Sequence, residues 1–176
     1  MLLLLVALLT VLPQARAPLP PTLEAPHIVV SKSKRQLELF SGGTRLRTYR
    51  VGLGLNPGPP KERNGDRATP EGTFFVCTKN EHSQFYLSLG LSYPAPADAE
   101  RGFKAGIITA KERDQIVAAG RRKAKPPWNT ALGGEIFIHG RGSSSDWTWG
   151  CVALDDPDIR ELFAVIPLGT PVEIQH

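Results

Sequence analysis

Cys151 and His139 carry the residue types that nucleophilic acyl chemistry needs, a thiol to attack and an imidazole to take its proton. A thiol reacts with a carbonyl as its thiolate. A neighbouring imidazole removes the proton and later returns it to a leaving amine. His139 ends the apolar run Ile136-Phe137-Ile138 and is followed by Gly140. Cys151 follows Gly150 and leads into Val152-Ala153-Leu154. Between them, Arg141 to Trp147 form a polar Gly/Ser loop, where both side chains can face solvent and glycines let a substrate approach the backbone. The Trp149-Gly150-Cys151 backbone is a candidate oxyanion hole; such preorganised donors are worth roughly 3–4 kcal/mol each. Trp147 and Trp149 either wall a cleft or pack against the fold.

Short β-branched and aromatic runs must position this pair. Strands are expected at His27–Val30, Gln36–Phe40, Leu46–Val51, Thr73–Val76, Phe85–Leu91, Glu135–Ile138 and Val172–Ile174. Ser41-Gly42-Gly43 marks a hairpin between the second and third. Two helices are expected. Thr109 to Ala119 opens on a capping box, Thr109 with Glu112, and stops at Gly120. Pro157 to Val165 has Asp156 as its cap, Pro157 at the first helical position and an apolar stripe of Ile159, Leu162, Phe163 and Ile166. The crowd of Asp155, Asp156 and Asp158 at that helix start is explained by the helix dipole, without a metal. The expected architecture is mainly β: an antiparallel or mixed barrel or sandwich with one or two peripheral helices.

The length of 176 residues fits one domain, and 41% hydrophobic residues are enough for a core. A net charge of +4 without a Lys/Arg block interleaved with aromatics speaks against nucleic-acid binding. Leu2 to Leu12 is too short to span a bilayer and reads, with Ala15-Arg16-Ala17, as a secretory signal over residues 1–17. Pro-rich residues 18–26 read as a linker, leaving 27–176 as the folded domain. The second cysteine, Cys77, sits in the strand-like Phe74-Phe75-Val76-Cys77; it is either a buried inert thiol or a disulfide partner of Cys151. No Cys/His spacing reads as a metal site. Residues 93–129 form an insertion holding Tyr93 and the basic run Arg121-Arg122-Lys123-Ala124-Lys125, either a lid over the cleft or a solvated loop.

The sequence resembles the L,D-transpeptidase (YkuD-like) catalytic family. His139-Gly140 after a strand, then Thr148, Gly150-Cys151-Val152 and Leu154, match its catalytic motif. Thr69-Pro70-Glu71-Gly72-Thr73-Phe74 is similar to its Thr-Pro-x-Gly-x-Phe turn. Lys34, Leu37, Leu39 and Tyr49 to Gly54 are similar to its first hairpins, and Leu168 to Val172 to its last strand. The resemblance spans about residues 27–174. It implies Cys151 as nucleophile and His139 as general base and acid, with the Gly140 carbonyl orienting the imidazole in place of a carboxylate. The implied substrate is a peptidoglycan stem peptide, cut between diaminopimelate and D-alanine, with transfer to an amine. Transfer to water would make an L,D-carboxypeptidase, and loss of turnover a non-catalytic wall-binding module. Thr148, Trp147 and Tyr93 are the expected substrate contacts. No cofactor is implied, and the expected place of action is the periplasm or cell envelope. Trp149 stands where the family often has His or Arg, and Ala153 where many members have Arg or Asn; both bear on acceptor choice.

Overall fold

The computed structural model describes residues 16–176. Most of the expected signal segment therefore lies outside the described residues. Eleven elements follow one another: β1 (His27–Ser31), β2 (Gln36–Ser41), β3 (Thr44–Arg50), β4 (Gly72–Ser83), β5 (Tyr86–Leu91), α1 (Pro96–Lys104), α2 (Ala110–Arg121), β6 (Phe137–His139), β7 (Val152–Ala153), α3 (Asp156–Val165) and β8 (Pro171–Gln175). The strands form one sheet in the order β3-β2-β1-β8-β4-β5-β6-β7. β1 with β8 and β6 with β7 are parallel; the other pairs are antiparallel. The sheet is mixed, as expected. It does not close as a barrel, although isolated bridges Gly52 to Ala153 and Gly54 to Thr148 carry the chain after β3 back to β7.

Alternation builds the core. Ile28 and Val30, Leu37 and Leu39, Phe74 and Val76, Leu89 and Leu91, and Val172 and Ile174 all point inward, where α3 covers them with Ile159 and Leu162. Each such side chain stabilises by roughly 1.5–3 kcal/mol when fully buried. α3 starts one residue before Pro157, and its cap is Asp155 rather than Asp156. Neither carboxylate caps; both reach elsewhere, as the site shows.

Three helices form instead of one or two. α1 was hidden by Pro94-Ala95-Pro96, which reads as a breaker. Pro96 instead occupies the first turn, where its missing N–H is no loss, and the Ala95 N–H donates to Asp98 Oδ2 at 2.8 Å. α2 has the expected capping box, with Glu112 N–H donating to Thr109 Oγ1 at 3.3 Å and Thr109 N–H to Glu112 Oε2 at 2.8 Å. It runs through Gly120 rather than stopping there. That glycine is where α2 meets α1: a Cβ on it would come within 2.6 Å of Pro96 Cγ. The two helices share a small separate core of Ala99, Ile108, Ile116 and Leu132.

Residues 18–26, expected as a linker, lie against the domain. Leu19 and Leu23 pack on the main core, the Gly42 N–H donates to Glu24 O at 2.7 Å, and Arg16 pairs with Asp158 at 2.9 Å. Proline content pointed to a linker and said nothing of the two leucines that dock.

Candidate active site

β6 places the imidazole. Ile138 points into the core and is fully buried, so Phe137 and His139 share the opposite face. β7 runs parallel beside it, with Ile138 opposite Val152 and His139 opposite Ala153. Cys151, one residue before β7, therefore lies beside Phe137, on the face that carries His139. The Phe137 N–H donates to the sulfur at 3.4 Å, and the thiol donates to Glu135 O at 3.6 Å. Both cysteines are free, so the disulfide alternative fails, and burial raises the Cys77 thiol to about 11, fitting the inert reading.

His139 is 1% exposed. Its Nδ1 lies 2.7 Å from the Gly140 carbonyl, which can only accept, so Nδ1 carries the proton and Nε2 is left as the basic nitrogen. The Phe85 ring stacks on the imidazole at 4.6 Å, and Trp147 meets it edge-on at 5.5 Å. Desolvation lowers the His139 pKa from its ordinary value, opposed in part by the bond to Gly140. Burial raises the Cys151 pKa to about 11, against the pull of the Phe137 N–H and the Lys61 charge. Both shifts favour the uncharged forms of the two groups.

The sulfur is half-buried at the edge of a cavity of about 260 Å³ lined by Asn80, Gln84, Phe85, Ser88, Glu135 and Phe137. β4 and β5 supply much of that wall. Their turn is fixed from α3, where Arg160 Nε donates to the Tyr86 hydroxyl at 2.7 Å. None of these wall residues was legible as functional, because their role depends on which strand lies beside β6. Ser88 stands opposite His139 in the pairing of β5 with β6.

The loop from His139 to Cys151 is held by carboxylates. Asp156 Oδ1 accepts from the Arg141 N–H at 2.8 Å, and Asp155 Oδ1 from the Ser143 N–H at 2.9 Å and its hydroxyl at 3.1 Å. Asp146 accepts from the Leu53 N–H at 2.9 Å and pairs with Arg35 at 2.8 Å. A Cβ at Gly140 would stand 2.5 Å from Asp156 Oδ1 and 3.0 Å from the Phe85 carbonyl, so a side chain there would displace the carboxylate that holds the loop. Gly150 has φ +127, and a Cβ there would meet Ala68 O at 2.7 Å.

Three expected roles change. Tyr93 cannot touch a substrate: it is fully buried, its hydroxyl donates to Leu132 O at 3.1 Å, and its ring meets Phe74 edge-on at 6.0 Å. Thr148 is buried too. Its hydroxyl donates to Cys151 O at 2.8 Å and accepts the Gly150 N–H at 3.2 Å, so it ties the turn rather than a ligand. The same bond occupies the Gly150 N–H that was expected to serve an oxyanion. Trp147 lies against the imidazole, while Trp149 is 72% exposed beneath the Arg67 guanidinium, 5.3 Å from its ring centroid.

A strand-borne histidine and a Gly-Cys turn entering the next parallel strand define a cysteine-centred site on an open mixed sheet. The model of the L,D-transpeptidase catalytic domain matches residues 25–174, and the chain belongs to that family. The fold is similar to Pgp2, the helical cell shape determining protein of Campylobacter jejuni, at 20% identity and TM-score 0.58, covering 86% of this chain and 47% of that one. Bd1075 of Bdellovibrio bacteriovorus is similar at 22% identity and TM-score 0.56, over 87% of this chain and 48% of that one. An L,D-transpeptidase from Mycobacterium smegmatis matches at 11% identity and TM-score 0.51, over 86% and 59%. The chain thus spans about half the length of these solved structures. No curated protein matches it in sequence.

Proposed function

We propose that this chain is a peptidoglycan L,D-transpeptidase working through a Cys151 acyl-enzyme, with His139 as general base and acid. The observation that carries this is the imidazole. Its Nδ1 is locked to the Gly140 carbonyl and its Nε2 is unprotonated, on the face that holds the thiol one strand away. Because both pKa shifts favour the uncharged forms, the proton leaves sulfur as the substrate carbonyl arrives rather than beforehand. Sulfur attacks the carbonyl of the diaminopimelate–D-alanine bond, and the Cys151 N–H stabilises the oxyanion. The imidazolium then gives its proton to the departing D-alanine amine, leaving a thioester. An acceptor amine attacks the thioester next, forming the new peptide bond and releasing the thiol.

Family membership supports the substrate class, and the half-buried cavity supports a peptide as donor. Residues 1–17 would direct export to the periplasm or cell envelope, where that substrate lies. Among the described residues no helix is long and apolar enough to cross a membrane. The test is incubation of the purified protein with a disaccharide-tetrapeptide. The expected result is loss of the terminal D-alanine with cross-linked dimers, absent in Cys151→Ala. Tripeptide without dimers would assign the acceptor as water, and untouched tetrapeptide would remove the enzyme reading.

A further inference from the structure

The surplus positive charge of the chain is not spread over its surface. Between Tyr93 and Gly134 stand eight lysines and arginines and four acids, while the rest of the chain carries thirteen of each sign. The net charge of +4 therefore belongs to this one region. Its acids are already met. Asp98 pairs with Arg101 at 2.9 Å, Asp114 with Arg113 at 2.8 Å and Glu100 with Arg113 at 4.0 Å, and Glu112 accepts the Thr109 N–H in the cap of α2. Lys104, Lys111, Arg121, Arg122, Lys123 and Lys125 are exposed and, among the described residues, pair with no carboxylate.

Three of these cations, Lys111, Arg122 and Lys125, line an open trough of about 930 Å³ along α2, together with the carboxamides of Gln115 and Asn129. Its one acid is Asp114, the partner of Arg113. Lys111 and Arg122 lie roughly 16 Å apart along the helix, at about 1.5 Å per residue. That is the reach of about five residues of extended peptide. Helix electrostatics does not explain the cations. Arg121 and Arg122 suit the negative end of α2, but Lys111 stands in its first turn, where a positive charge is unfavourable. Lys123 has φ +50, at the helix exit where glycine is the usual residue. Cations kept where local structure disfavours them point to a partner outside the chain.

We propose that this trough is a second binding site, for a carboxylate-bearing peptide, and that its occupant is the stem of a wall strand other than the one at Cys151. The identity of the occupant rests on the acyl-transfer reading above: a stem ending in diaminopimelate and D-alanine carries free carboxylates on both residues. Guanidinium and ammonium groups bind those carboxylates, and the carboxamides pair with the N–H and C=O groups of the peptide itself. A trough takes a chain, whereas a bilayer meets a flat face. The trough shares no lining residue with the cavity of Cys151. Yet Lys125 Nζ lies 4.2 Å above the Trp128 ring, which meets Phe137 of that cavity edge-on at 5.4 Å. Holding one strand there raises the effective concentration of neighbouring stems at the thiol.

The test is co-sedimentation with purified, insoluble peptidoglycan, using the full chain in a Cys151→Ala background so that nothing is turned over. Lys111→Gln with Arg122→Gln should raise the Kd about tenfold or more, as loss of charge-assisted pairs implies. Lys34→Gln with Arg45→Gln, which removes the same charge elsewhere, should change it less than about twofold. Lys111→Arg with Arg122→Lys, which keeps the charges, should bind like the parent. Converting the carboxylates of the wall to methylamides should weaken the parent to the level of the first pair. Equal loss in the two glutamine pairs, undiminished binding to the amidated wall, or tighter binding to phosphatidylglycerol vesicles than to the wall would overturn the site. If the wild type cross-links the disaccharide-tetrapeptide while the two glutamine pairs bind alike, the trough alone is refuted. If the wild type leaves the tetrapeptide untouched while the pairs differ as expected, the trough stands and the acyl-transfer reading falls.

Discussion

The segment from β6 to β7 and the region from Tyr93 to Gly134, which includes the insertion expected over 93–129, are held in opposite ways. The first is fixed from several sides. Ile138 and Val152 sit in the main core, Asp155 and Asp156 of α3 grip the loop, and Asp146 ties it to the chain after β3. The insertion has a core of Ala99, Ile108, Ile116 and Leu132, and its cations Arg121, Arg122, Lys123 and Lys125 face solvent. It reaches the site through Trp128, edge-on to Phe137 at 5.4 Å, with Lys125 Nζ 4.2 Å above the Trp128 ring. Chemistry that needs ångström-scale placement is built where many constraints converge. A thin satellite core can open without disturbing it.

That contrast can be broken at graded points. The largest effect belongs to His139→Ala, which should slow carbapenem acylation about 10²–10⁴-fold, the usual range for a general base. Asp155→Ala removes two bonds from Ser143 and should cost about 1.5–3 kcal/mol of stability, read by denaturant unfolding. It should also slow acylation roughly tenfold as the loop loosens. Ile116→Ala should cost about 2–4 kcal/mol locally, read as faster amide exchange in α1 and α2. Acylation should fall no more than about threefold. A larger loss would show that the insertion shapes the cavity and does not merely flank it.

The strand that bears His139 was legible in the sequence, because an apolar run ending in His-Gly and a Gly-Cys turn are local signals. The capping box of α2 was local too. What stayed hidden was set by long-range packing. Phe85 matters because β5 lies beside β6, and Tyr93 is buried because it bridges the sheet to Leu132. The acidic residues at the start of α3 looked like helix-end electrostatics, yet Asp155 and Asp156 face backwards onto the loop. Gly120 looked like a stop because the same residue type serves tight helix contact and termination alike.

The protonation of the pair can be probed through pH. His139 acts only unprotonated, and its lowered pKa keeps it so down to below 6.5. The thiol keeps its proton until about pH 11. Carbapenem acylation should therefore rise through a single ionisation below pH 6.5 and hold level through pH 9. The linked effect on stability has a definite sign. The unfolded Cys151 ionises near its ordinary value of 9.0 while the folded thiol stays neutral, so stability should fall between about pH 9 and 11.

The most direct measurement is the rate of iodoacetamide alkylation at Cys151 against pH, followed by intact mass in the wild type. This reagent needs the thiolate already formed. A thiol that waits for its substrate before giving up its proton requires a rate that climbs steadily from pH 7 through pH 10, with no plateau. A plateau reached below pH 7 would mean a standing thiolate–imidazolium pair and would contradict proton transfer from a neutral thiol to His139.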